Sequence, residues 1–380
     1  MKKYLVLFLL LLFIPSIVNA EEYATNAKSA ILVDCDSGTI LFEKNKDERL
    51  SVASLTKMMA QILILEEVEK GNLKWDEKIT TSSNAAGYGG TQIYLEAGEI
   101  MTAKDLMKAI SMASANDATV VMAERIAGTE KKFVEMMNKK AKELGLKNTN
   151  FVNPTGLDED NHYSSSYDLS IIARELLKHK EILEFTSIYE DYLRQDTPNK
   201  FWLVNTNKLV RTYSGVDGLK TGFTDKAGYT MAVTAKNNNM RLIAIVLGEE
   251  VSKVRNKETA ELLDYGFVNY KVNVLKKKDE VVDTIKINKG NKKKLRVVLD
   301  SDVKVLTKKS DGKFKYEEKI IMDQVKLPVH VGDKLGVLEL YNQGKKIGIY
   351  NLVSKDNIKK KNIFSIYLEN LKRVIVGDLV

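Results

Sequence analysis

The chain has 380 residues, 44% hydrophobic and 29% charged, an ordinary globular balance that allows two or three domains of roughly 100–200 residues. Its net charge of +8 is carried mostly by lysine, with nine arginines among 59 basic residues. That balance suits loose attraction to anionic surfaces, and no nucleic-acid motif accompanies it, so nucleic acid is not an expected partner. The composition also excludes wholesale disorder, and no internal repeat points to a solenoid.

The first twenty residues stand apart. Lys2 and Lys3 precede an apolar run from Tyr4 to Ile17, and Val18-Asn19-Ala20 supplies small residues for cleavage. Residues 1–20 read as a secretory signal peptide, with Glu21 as the new terminus, and the apolar run is short for the alternative, an uncleaved anchor. Residues 29–44 read as two strands around an Asp-Ser-Gly turn. Cys35, the single cysteine, cannot pair within the chain and is expected half-buried in a strand. A helix is expected from about Ser54 to Lys70, apolar nearly all round and so central to its domain. Helical patterns recur at 103–114, 116–127, 130–144 and 167–178. Strands are expected at 229–235 and 241–247, joined by a hairpin at Asn237-Asn238-Asn239, and a helix near 252–266 closes the unit. Strands at both ends with helices between suggest one sheet built from both termini of the domain.

After Tyr270 the pattern changes. Lysine alternates with valine, leucine and isoleucine, as in Leu295-Arg296-Val297-Val298, Val303-Lys304-Val305 and Phe314-Lys315-Tyr316. With turns at 310–312, 331–333 and 342–344, residues 271–358 read as a small all-β domain. Its alternating lysines suggest either a solvated strand face or contact with an anionic polymer or lipid. The end of the chain returns to helical period, with Ile363, Phe364, Tyr367, Leu368, Leu371, Val374 and Ile375 on one stripe behind Lys359, Lys360 and Lys361. Such a helix, in the segment 359–380, can lie in a membrane surface or pack on the β domain.

Three histidines, with no His-Glu-x-x-His and no Gly-x-Ser-x-Gly, support neither a zinc hydrolase nor an α/β-hydrolase. Residues 158–162 carry acidic groups but lack the glycine and distal glutamate of a calcium loop, and read as a polar surface loop. No metal or cofactor is expected.

Three short motifs carry chemistry. Ser54-Leu55-Thr56-Lys57 places a hydroxyl and an amine three residues apart, so they can meet on one helix face at a terminus that favours negative charge. A lysine in an apolar site loses part of its basicity and can take the serine proton in place of histidine. Ser114-Ala115-Asn116 offers a hydroxyl for proton relay and an amide for a peptide group, or simply a helix cap. Lys220-Thr221-Gly222 offers a cation and hydroxyl for a carboxylate, with a glycine for close approach, or simply a hairpin turn. Each is weak alone: Ser301-Asp302-Val303-Lys304, Ser310-Asp311-Gly312-Lys313 and Ser82-Ser83-Asn84 also match. Only Ser54 is followed by both other motifs in order, at spacings of 60 and 106 residues. That ordered set marks penicillin-recognising active-site serine enzymes.

The flanks narrow the resemblance. Residues 53–59, 90–99, 113–118, 153–158, 162–165 and 215–224 resemble the corresponding segments of low-molecular-mass D-alanyl-D-alanine carboxypeptidases, peptidase S11 type, most of all those of sporulating Gram-positive bacteria. The resemblance implies an α+β fold of the β-lactamase/transpeptidase type: a five-stranded antiparallel sheet between helices, an all-helical subregion, then the all-β domain. The implied division is a signal peptide (1–20), a serine DD-peptidase domain (21–270), the β domain (271–358) and a membrane-associating helix (359–380). It implies removal of the last D-alanine from peptidoglycan stem peptides ending in D-Ala-D-Ala, on the outer face of the membrane or in the wall, with β-lactams as covalent inhibitors. In that scheme Ser54 attacks, Lys57 is the base and Ser114 relays the proton to the leaving D-alanine. Asn116 holds the substrate amide, Lys220 and Thr221 the carboxylate, Gly222 admits the substrate backbone, and the N–H groups of Ser54 and Phe223 hold the oxyanion. The alternatives are a DD-endopeptidase, a class A β-lactamase (whose Glu-x-x-Leu-Asn is absent from the sequence), and a non-catalytic wall-binding protein.

Overall fold

The six residues of β1 (Ser29–Asp34) are buried without a break, so this strand must have neighbours on both edges and both faces. In the structure, a computed structural model describing residues 23–312, 314–362 and 367, β1 pairs with β2 (Ile40–Lys44) and with a strand from the far end of the domain. Cys35 follows β1 directly, half-buried and unpaired rather than inside the strand.

The expected helix at 54–70 comes in two pieces. Ala53–Thr56 is a 3-10 turn, and α1 (Lys57–Glu69) continues from it. Ala53 sits at φ 49, a left-handed conformation that bars a helical start one residue earlier. Every residue of α1 from Lys57 to Leu65 is buried, which matches a central helix.

The short hairpin strands β3 (Lys78–Thr80) and β4 (Ile100–Thr102) bracket a loop containing α2 (Ser83–Ala86). Then come α3 (Ala103–Met112), α4 (Asn116–Ala127), α5 (Glu130–Glu143), α6 (Ser166–Leu176) and α7 (Ile182–Thr186). Thr102, Thr129 and Ser165 cap α3, α5 and α6 by accepting from the N–H three residues on. A second short hairpin, β5 (Glu190–Leu193) with β6 (Phe201–Val204), precedes α8 (Leu209–Thr212). The chain then forms β7 (Val216–Thr224), β8 (Gly228–Asn237) and β9 (Met240–Glu249), and finally α9 (Ser252–Asn269).

The sheet order is β2-β1-β9-β8-β7. Antiparallel pairing of Ile31 with Ile245 joins the two ends of the domain, as the pattern of strands around helices suggested. The third motif therefore lies on an edge strand, β7, and not in a turn.

The chain separates into two compact units. Among the described residues, one runs from Tyr23 to Lys236 and resumes at Arg241–Tyr265; the other holds Asn237–Met240 and the described residues from Gly266 on. The second unit is all-β, as expected. Its strands are β10 (Tyr270–Lys276), β11 (Val281–Lys286), β12 (Lys294–Leu299), β13 (Val303–Lys308), β14 (Glu317–Met322), β15 (Lys334–Asn342) and β16 (Lys345–Ser354). Five form a sheet in the order β11-β12-β16-β15-β14, and β10 pairs with β13. Phe314 and Tyr316, expected in a strand, stack on each other just before β14. The inward residues Leu295, Val297, Leu299, Leu338, Leu340 and Leu352 are buried; of the residues between them Arg296 is exposed, while Val298 and Glu339 are buried as well. The expected signal peptide lies outside the described residues, and so does the terminal helix at 363–380 apart from Tyr367. Among the described residues no helix is long and apolar enough to cross a membrane.

Candidate active site

Ser54 is half-buried in its 3-10 turn, where residues i and i+3 eclipse one another. That geometry brings Lys57 Nζ to 2.9 Å from Ser54 Oγ. Lys57 is fully buried, and its amine also donates to Asn116 Oδ1 at 2.7 Å and to the Thr155 carbonyl at 2.7 Å. Burial, and then the like charge of Lys220, hold its pKa well below the ordinary lysine value, against a smaller opposing pull from Asp117. A neutral amine has two N–H bonds and one lone pair. The amine donates to Ser54 Oγ, Asn116 Oδ1 and the Thr155 carbonyl; once it has given up one proton, Asn116 and Thr155 can keep its two N–H bonds while the lone pair turns to the Ser54 hydroxyl.

Asn116 opens α4 and is itself locked. Its Nδ2 donates to the Gly89 carbonyl at 2.8 Å and its backbone N–H to the Thr91 carbonyl at 2.7 Å. Beside it, buried Asp117 accepts from the N–H groups of Ile93 and Leu95, which ties the 89–95 loop to the start of α4. Ser114 is not a helix cap: Ala115 holds the cap position, and Ser114 sits at φ 66 with a buried Oγ that has no partner within the protein. A strained residue with an unsatisfied buried hydroxyl marks a place where another molecule's polar group belongs. The competing Ser82 is an ordinary cap, accepting from Ala85 N–H.

On the opposite wall, β7 runs against the nucleophile turn. A Cβ built on Gly222 would lie 2.9 Å from both Ser54 N and Ala53 Cβ, and 2.6 Å from Thr230 Oγ1, so only glycine allows this approach. Lys220 and Thr221 are buried beside it. Burial, and then Arg255, lower the Lys220 pKa to about 7. Phe223 is half-exposed and stacks on Tyr229 at 4.4 Å.

Several residues lack a motif and were not singled out by spacing. Arg255, from α9, is buried, donates to the Thr230 carbonyl at 3.4 Å and adds positive charge near Lys220. The loop at 153–162 is no mere polar surface loop. Asp158 accepts from Ser51 Oγ at 2.9 Å and Thr224 Oγ1 at 2.8 Å, so it joins the entry of the nucleophile turn to the end of β7. His162 is buried against Thr56. All eight residues expected at the site lie on the nucleophile turn, the start of α4 and β7, which the contacts through Lys57, Asn116 and Gly222 bring together. Among the described residues no cluster of side chains could hold a metal ion.

A sheet closed by both ends of its domain, with a serine in the turn that leads into the central helix and a buried lysine at that helix's first residue facing a Lys-Thr-Gly edge strand, defines an active-site serine enzyme of the penicillin-recognising class. Family comparison makes this specific. The D-alanyl-D-alanine carboxypeptidase model of peptidase S11 matches residues 16–251, and the model of the penicillin-binding protein 5 C-terminal domain matches residues 270–360. The chain belongs to the S11 family of D-alanyl-D-alanine carboxypeptidases. It is 46% identical to D-alanyl-D-alanine carboxypeptidase DacF of Bacillus subtilis, over 97% of this chain and 96% of that one. It is 33% identical to DacA of Haemophilus influenzae, over 89% and 86%. Among solved structures, penicillin-binding protein 5 from Haemophilus influenzae matches with a TM-score of 0.72 at 29% identity, covering 90% of this chain and all of that one. Penicillin-binding protein D2 from Listeria monocytogenes, solved in an ampicillin-bound form, matches at 35% identity and TM-score 0.58, over 64% and 98%.

Proposed function

We propose that the protein removes the terminal D-alanine from peptidoglycan stem peptides through an acyl-enzyme on Ser54. The observation that carries this reading is the buried Lys57 amine, 2.9 Å from Ser54 Oγ and held there by two fixed acceptors. Lys57 takes the Ser54 proton as Oγ attacks the penultimate carbonyl. The oxyanion then sits between the N–H groups of Ser54 and Phe223, each such donor contributing ~3 kcal/mol in comparable sites. Ser114 passes the proton to the departing D-alanine amine, and Asn116 holds the substrate amide. Lys220 and Thr221 bind the terminal carboxylate, with Arg255 strengthening the field there. Water then releases the shortened peptide. A β-lactam acylates the same oxygen, which the ampicillin-bound relative supports.

The test is intact mass after exposure to benzylpenicillin, paired with D-alanine release from a D-Ala-D-Ala peptide. Parent protein should carry one adduct and release D-alanine; Ser54→Ala should do neither. An adduct that survives in Ser54→Ala removes Ser54 from the mechanism.

The same reading places the protein outside the cytoplasmic membrane, after loss of residues 1–20, with 21–270 catalytic and 271–358 as spacer. The apolar stripe and lysines of 359–380 support a membrane-surface helix. Fractionation of the signal-processed full chain against a chain ending at Lys361 tests that anchor. The full chain should partition with membranes and the shorter one should not; equal partitioning sinks the anchor.

A further inference from the structure

The loop between Asn150 and Ser164 closes on two short ladders, Asn150 with Tyr163 and Leu50 with Ser164. Within it, Asn153 Oδ1 accepts from Thr155 N–H, Thr155 Oγ1 and Gly156 N–H, which folds the tip into a tight turn. That tip presses on the nucleophile turn. Gly156 lies at φ 85, and a Cβ there would stand 1.9 Å from the Ala53 carbonyl oxygen and 2.9 Å from Thr56 Oγ1. The tip also supplies the Thr155 carbonyl that accepts from Lys57.

His162 closes this arrangement from below. Its Nδ1 accepts from Val152 N–H at 3.2 Å, which assigns the ring proton to Nε2. Nε2 then donates to Thr56 Oγ1 at 2.8 Å. The ring is buried, with Phe151 edge-on at 5.9 Å, and its charged neighbours are Asp158 and Glu159 of the same loop. Burial outweighs both carboxylates and holds its pKa down to about 4, so the ring stays neutral over the working range.

We propose that His162 is a positioning residue: by tying Thr56 to the 150–164 loop, it fixes the Thr155 carbonyl and so aims the Lys57 lone pair at Ser54. This rests on the acyl-serine reading above. Thr56 is the residue between the nucleophile's neighbour and the base, and the loop provides one of the two acceptors that orient the base amine. Without the His162 link, the loop is still held to the nucleophile segment through Asp158 and the Leu50–Ser164 bridge, but its tip is less tightly fixed beside Thr56. Lys57 then loses a fixed acceptor, while the walls that hold the ligand's carboxylate and amide stay in place. The loss falls on the chemical step rather than on binding.

The experiment measures benzylpenicillin dissociation constant and acylation rate constant separately, over a range of pH, together with melting temperature. His162→Phe keeps the ring against Phe151 but removes both hydrogen bonds. Its acylation rate constant should fall about tenfold to a hundredfold, its dissociation constant should stay within a few-fold, and the acid limb of its pH profile should move. His162→Gln, whose amide can accept from Val152 and donate to Thr56, should recover most of the rate. Thr56→Val, which leaves His162 Nε2–H without its acceptor, should reproduce the His162→Phe effect should that variant fail to fold; Thr56→Ser should not. A parental rate and pH profile in His162→Phe or Thr56→Val overturns the proposal. So does an equal loss of binding, rate and stability, which is mere structure. Failure of the parent itself to form a Ser54 adduct overturns the underlying reading instead.

Discussion

Two lysines dominate the residue scale because both are buried without a carboxylate partner. Isolated ammonium groups in such surroundings tend to shed their protons. Lys57 is held well below the ordinary lysine value, which suits the base of the proposed mechanism, and Lys220 is lowered to about 7, so in that mechanism an arriving substrate carboxylate would restore its preference for charge. The serine and its lysine were legible because three residues in one turn fix their meeting. Arg255, Asp158 and His162 were not, because their contacts join segments 25 to 107 positions apart, and no local spacing encodes that. Gly222 shows how one missing side chain sets the site. Gly222→Ala would push β7 away from Ser54 N, and acylation should fall about tenfold to a hundredfold with the fold retained. A circular dichroism spectrum beside the acylation rate checks both halves, and an unchanged rate would mean that β7 tolerates the shift.

At the scale of elements, the segment before β1 is clamped to α9 by Glu258, which lies beside a second buried acid, Glu249 of β9. Glu258 accepts from Thr25 Oγ1, Asn26 N–H and Asn26 Nδ2, while Glu249 beside it is buried, with neither carboxyl oxygen hydrogen-bonded to a donor of the protein. Burial, and then Glu258, push the Glu249 pKa up to about 8 from 4.5. Two such acids settle by sharing one proton. A folded-state pKa raised this way gives stability that is complete below the unfolded value near 4.5 and lost as pH climbs to about 8. Glu249→Gln donates to Glu258 permanently. Its melting temperature should match the parent's near pH 5 and exceed it by a few degrees at pH 9; parallel pH curves would mean the proton is not shared. The long elements were readable from their periodicity, helices to within three residues at either end. The hairpins β3–β4 and β5–β6 were not, since strands of three or four residues show no alternation to detect. Nor was the 3-10 turn at Ser54, which depends on Ala53 adopting a left-handed conformation.

At the scale of the whole molecule, the change from helical to alternating pattern near Tyr270 announced a second unit, and the unit break falls a few residues earlier, inside α9. Within the β unit, Asp356 is buried under Arg296, which grips it through Nε and a terminal nitrogen at 2.9 and 2.8 Å, with Lys292 at 3.2 Å. Those bonds hold its carboxyl far below the ordinary range. Asp356→Ala should therefore lower the melting of the β unit by several degrees while leaving benzylpenicillin acylation unchanged; a loss of acylation would show that the catalytic unit depends on it. The nucleophile turn, for its part, is gripped by glycines at 156 and 222, far along the chain from Ser54. Contacts of such sequence separation form late in folding. Before they form, Lys57 stands in water, fully protonated, and Ser54 is an ordinary alcohol. A chain in which these contacts have not yet closed should therefore be invisible to a β-lactam. On the proposed mechanism its adduct counts only molecules in which glycines 156 and 222 have reached the nucleophile turn.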